Sequence, residues 1–100
     1  VTAASVIIDR GRIATLASAE RATFTAAHPR CAAAFGRARD SLPDGVPMNW
    51  MVKWAGPFPP YAASARDATV TCLDGVEFVD FALGDTGAMA GHAPPATVAA

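Results

Sequence analysis

Thr69-Val70-Thr71-Cys72-Leu73-Asp74-Gly75-Val76-Glu77-Phe78-Val79-Asp80-Phe81 is the stretch that decides the fold. β-Branched and aromatic residues flank Asp74-Gly75, a pair that favours a two-residue hairpin because both central positions of a type I′ turn need positive φ. Such a turn sets Leu73 against Val76, Thr71 against Phe78 and Val70 against Val79. One face would then carry Val70, Val79 and Phe81, the other Leu73, Val76 and Phe78. Both faces are partly apolar. A hairpin with one solvated face reads more polar than this, so the expectation is that something outside these 100 residues covers the second face.

Working outward, Tyr61 to Ala65 reads as a further strand, and residues 61–82 as a small antiparallel sheet. Residues 46–60 contain Pro47, Pro57, Pro59, Pro60 and both tryptophans; an irregular loop of this length inside a small domain is more often functional than idle. The loop as a whole spans 42–60. Before it, Ile13, Leu16, Ala17, Phe24 and Ala27 recur at helical intervals, predicting a helix over 13–27 that stops at His28-Pro29. Pro29 opens a second helix, 29–41, with Cys31, Ala34, Phe35 and Ala38 on one stripe and Leu42-Pro43-Asp44-Gly45 ending it. Residues 1–12 read as a frayed lead-in, because Asp9-Arg10-Gly11-Arg12 breaks any period. Beyond the hairpin lie a glycine-rich loop, 83–94, and the start of a helix, 95–100. The fold class is α+β: two N-terminal helices followed by a small antiparallel sheet.

The composition limits what such a chain does. Alanine supplies 24 residues, while Leu, Ile, Val and Phe together supply 20, so large apolar side chains are scarce and the core is thin. A net charge of −1 with no concentrated Lys or Arg gives nucleic acid no surface to bind. No apolar run approaches the ~20 residues of a membrane span. Asp9, Arg10 and Arg12 interrupt the apolar segment that an export signal would need, so a cytoplasmic location is expected, with Cys31 and Cys72 reduced. Val1 and the apolar run Thr97-Val98-Ala99-Ala100 suggest two cut ends.

Several constellations carry weak chemistry. His28 and Cys31 are three apart, but two ligands do not make a zinc site; the plain reading is a surface histidine beside a buried thiol, with no metal bound. Gly84, Gly87 and Gly91 match no phosphate-binding fingerprint, although glycines let backbone pass close to a ligand. No G-x-S-x-G elbow occurs. Lys53, the only lysine, reads as a solvated or snorkelling cation. Trp50 and Trp54, four apart in the proline-rich loop, offer either packing beneath the loop or an apolar wall for a substrate or subunit. His92 reads as structural, since no acid or base partner is legible.

From Arg37 onward the order of motifs resembles the N-terminal part of the class III pyridoxal-phosphate-dependent aminotransferases, in the branch around glutamate-1-semialdehyde 2,1-aminomutase. The pieces are a basic helix ending in a P-G-G-V-like turn, Pro43-Asp44-Gly45-Val46; a D-x-D-G-x-x-Y-x-D-like hairpin, Cys72 to Asp80; and a G-H-x-x-P signature, Gly91 to Pro95. Cys72 stands where that motif has its first aspartate, and Phe78 where it has tyrosine. Where the branch uses an arginine for the substrate carboxylate, this chain has Met51, with Lys53 two residues on.

The resemblance implies a segment of a fold-type-I transferase whose intact parent is a homodimer using pyridoxal 5′-phosphate to move an amino group from a small-molecule donor to a carbonyl acceptor. It also implies that Trp50, Met51, Lys53, Asp85 and Thr86 lie on the substrate side. Catalytic and cofactor-binding residues would lie outside this chain, which alone would be inactive. The alternative is a small stand-alone α+β interaction module without catalytic activity.

Overall fold

Asp9 starts the first helix. Its carboxylate accepts the backbone N–H of Arg12 at 2.9 Å, satisfying one of the donors that a helix N-terminus leaves open. In the computed structural model, which describes residues 7–53, 56–84 and 87–100, α1 therefore runs Arg10–Ala27. The Asp9-Arg10-Gly11-Arg12 run is a cap and a first turn, not lead-in coil, and it corrects the expected start at 13. α2 spans Pro29–Ala38, after which the chain tightens into turns through Ser41. Short 3-10 turns, Pro43–Gly45 and Asn49–Val52, break up the proline-rich loop. The sheet is β1 Ala62–Arg66, β2 Thr69–Cys72 and β3 Glu77–Val79, antiparallel in chain order, and a short α3, Pro95–Val98, follows.

The hairpin register differs by one residue from the expected one. Val70 pairs with Phe78, Thr71 with Glu77 and Thr69 with Val79, because Gly75 at φ +80 joins Leu73 and Asp74 in a three-residue connection closed by Cys72 and Val76. A slip of one residue exchanges faces. Val70, Cys72 and Phe78 now share the inner face, while Thr69, Thr71 and Glu77 take the outer one with Ser64 and Arg66 of β1. In this register the outer face is more polar than expected, with Val79, paired to Thr69 and 64% exposed, as its apolar member.

Cys31, Phe58 and Cys72 form the buried centre, with Phe24, Phe35, Tyr61, Leu73 and Phe78 packed around them. Phe58 sits 5.2 Å from Phe24 and 6.4 Å from Phe35, ring centre to ring centre. His28, expected at the surface, is 5% exposed. Its ring stacks on Phe24 at 4.1 Å, and its Nδ1 donates to the Phe24 carbonyl at 2.8 Å, so it closes α1 from inside the junction with α2. α2 has no capping side chain of its own. Asp74 supplies it from the hairpin turn: Oδ1 accepts from Arg30 N at 2.7 Å and Oδ2 from Cys31 N at 2.9 Å. The sheet is thereby tied to the helix pair across 44 positions of sequence. Away from this junction α1 buries nothing, and Ile13 and Leu16 are exposed.

Candidate functional site

Two backbone positions shape the first wall. Asp44 at φ 54 and Gly45 at φ 75 fold the chain back on α2. A β-carbon on Gly45 would fall 2.8 Å from the Phe35 ring and 2.9 Å from the Arg39 side chain, so only glycine fits there. The Tyr61 hydroxyl donates to the Gly45 carbonyl at 3.1 Å, clamping this turn to the chain entering β1. Between these fixed points the Asn49–Val52 turn presents Trp50 and Met51.

The result is an open groove of about 980 Å³, with Trp50, Met51 and Lys53 on one side and Pro59, Pro60 and Tyr61 on the other. Three of the five residues expected on the substrate side thus meet in one place. Asp85 and Thr86 lie outside the described residues, as does Trp54. Neither a carboxylate nor an imidazole lines the groove among the described residues, so it can hold an apolar body and place a cation at its edge, but it has no group for proton transfer near neutral pH. Tyr61 is no exception: burial, and then the neighbouring Cys31, push its phenol upward from its ordinary value.

A second polar feature brackets the glycine-rich loop. His92 Nε2 lies 2.6 Å from Asp80 Oδ2, and Asp80 Oδ1 accepts from Ala82 N at 2.9 Å and Leu83 N at 2.8 Å. One carboxylate holds both ends of the loop. The bond from His92, joined by the N–H of Leu83, keeps Asp80 below the ordinary carboxylate value. His92 does have an acid partner, then, and its backbone pairs with Asp67 at the end of β1, N to O at 2.8 and 2.9 Å. Gly91 at φ +86 allows that approach, since a β-carbon would lie 3.2 Å from Asp67 Cα. The sequence signal for the pair was an aspartate and a histidine at opposite edges of a glycine-rich run.

Known protein families offer no matching model. Solved structures do match. A glutamate-1-semialdehyde aminomutase from Pseudomonas aeruginosa PAO1 is 43% identical over 92% of this chain with a TM-score of 0.83, and a variant of it was solved in complex with PMP. A β-phenylalanine aminotransferase from Variovorax paradoxus is 25% identical over 83% of the chain, with a TM-score of 0.75. An omega-transaminase from Sphaerobacter thermophilus is 40% identical over 65% of it, with a TM-score of 0.56. The chain spans only 20%, 19% and 14% of those three proteins. The chain is an N-terminal segment of the glutamate-1-semialdehyde aminomutase branch of the class III aminotransferases, within the fold-type-I transferases.

Proposed function

We propose that this chain is the substrate-side N-terminal portion of a pyridoxal-phosphate-dependent aminotransferase or aminomutase that moves an amino group between an amino acid or amine and a carbonyl acceptor. The observation that carries the reading is the 43% identity over 92% of the chain to an aminomutase of the same fold. On this reading the cofactor-binding residues lie outside this chain. Lys53, the only lysine, is exposed at the rim of an apolar groove whose lining offers no carboxylate for a pyridine nitrogen. The proposal therefore places the aldimine lysine and the phosphate-holding turn in the remainder of a longer parent, and gives this segment the task of shaping the substrate pocket with Trp50, Met51, Lys53, Asp85 and Thr86. The parent is proposed to be a cytoplasmic homodimer. No helix among the described residues is long and apolar enough to cross a membrane.

The test is to sequence the coding region past Ala100 and express what it encodes. Several hundred further residues, a cofactor absorbance lost on borohydride reduction, and amino transfer to a keto acid are the expected results. A stop codon directly after Ala100 and a monodisperse monomer would favour the small interaction module instead.

A further inference from the structure

Cys31 and Cys72 are far apart in sequence, yet their sulfurs and a carboxylate oxygen of Asp74 all lie within 4.8 Å of one another. Both sulfurs are buried, at 0% and 1% exposure, while Asp74 is only half-buried and opens the cluster toward solvent. We infer that Cys31, Cys72 and Asp74 form a binding site for a thiophilic divalent cation of the zinc class, separate from the groove and independent of the proposed amino transfer.

Donor chemistry and surroundings argue for it together. Two thiolates and a carboxylate suit zinc, which takes sulfur at about 2.3 Å and carboxylate oxygen at about 2.0–2.2 Å, so a small inward movement completes ligation. The Tyr61 N–H already points at Cys31 Sγ, 3.3 Å away, the kind of outer hydrogen bond that supports a ligating thiolate. Asp74 is orientated by the N–H groups of Arg30 and Cys31, which leave carboxylate lone pairs free for a metal. The backbone hydrogen bonds that fix Asp74 and Cys31 come from α2 and from the chain entering β1, so the three donors are held by separate elements that meet at this point.

Without a cation, burial and then the adjacent Asp74 hold the Cys31 thiol above its ordinary value, which favours its protonated form. Binding exchanges two thiol protons for one divalent ion: the S–H bonds break, two metal–sulfur bonds and one metal–oxygen bond form, and two protons leave to solvent. Water entering past Asp74 fills the fourth position.

Cobalt(II) is the direct probe. With one equivalent added to the reduced 100-residue chain, thiolate charge-transfer bands and the visible bands of a tetrahedral centre should develop, with two protons released per metal. Cys31→Ser and Cys72→Ser should each abolish the bands, and Asp74→Asn should weaken binding about tenfold or more. An unfolded dithiol also captures cobalt, so zinc must in addition raise the urea midpoint of the wild-type chain and leave that of Cys72→Ser unmoved. Absence of the bands at one equivalent, bands that survive either serine variant, or a urea midpoint indifferent to zinc would each overturn the inference.

Discussion

At Pro43-Asp44-Gly45-Val46 two adjacent residues adopt positive φ, and only one of them is glycine. Left-handed backbone costs an L-residue roughly 1–2 kcal/mol, less for aspartate, whose short side chain tolerates it. Asp44→Gly removes that strain but returns entropy to the unfolded chain. The net expectation is a gain of at most about 1 kcal/mol, read as a higher urea midpoint. Gly45→Ala points the other way. Its β-carbon meets the Phe35 ring at 2.8 Å, so the core must shift or the turn open. Overpacking of this kind costs about 1–3 kcal/mol. A midpoint for Gly45→Ala equal to wild type would mean the turn does not press on α2.

The hairpin shows how an element's sequence pattern and its geometry part company. Its strands and its turn were legible in the alternation around Asp74-Gly75, yet the loop holds three residues because Gly75 alone is left-handed, and that one residue exchanges the faces. Helix existence was legible from spacing and from Pro29; the α1 start was not, since Asp9 reads locally as a breaker and acts as a cap. The cap on α2 comes from 44 positions away, and no local pattern could announce it. Of the candidate site, the tryptophan loop was legible from its prolines and its resemblance, whereas the Asp80–His92 pair exists only once His92 bridges to Asp67 beside the sheet, and the Cys31–Cys72 neighbourhood only once the sheet has folded against α2. These carboxylates also set an acid limit. Asp74 resists the desolvation that opposes its charge because the Cys31 thiol and the N–H groups of Arg30 and Cys31 outweigh it, and Asp80 is held by His92 and Leu83. Each is held below the ordinary value of 3.8, so each contributes stability that is present above that pH and is lost as pH falls through the depressed folded value. Acid unfolding of Asp80→Asn should therefore show a shallower loss of stability below pH 3.8 than wild type, while an unchanged slope would remove Asp80 from this role.

The molecule as a whole is extended. Its radius of gyration is 17.9 Å, against about 13 Å for a compact domain of 100 residues. Exposed Ile13 and Leu16 on α1, with Phe81 at 94% and Met89 at 77% beyond the sheet, leave apolar surface unpartnered on several sides. Such surface drives association, so the chain alone should sediment as a concentration-dependent mixture. A monodisperse monomer at every concentration would contradict this. The same shape bears on the groove, because walls built from Trp50 and Met51 on one side and Pro59 and Pro60 on the other are open and need the proposed parent to close them. In that parent Trp50, 55% exposed here, would bury its ring against substrate, not cofactor. A group that touches substrate alone affects KM or substrate preference and spares cofactor affinity. Trp50→Ala in the full-length protein should therefore raise KM about tenfold, equivalent to about 1.4 kcal/mol, with pyridoxal phosphate affinity unchanged. Asp85→Ala should likewise alter the ranking of amino donors and leave the cofactor bound. Kinetics unchanged for every donor, or loss of cofactor with donor preference intact, would put these loops on the other side of the pocket. In the 100-residue chain by itself, borohydride reduction with pyridoxal phosphate should leave Lys53 without a stoichiometric adduct, because an exposed lysine at the rim of an open apolar groove has no enclosing pocket to hold the cofactor against it.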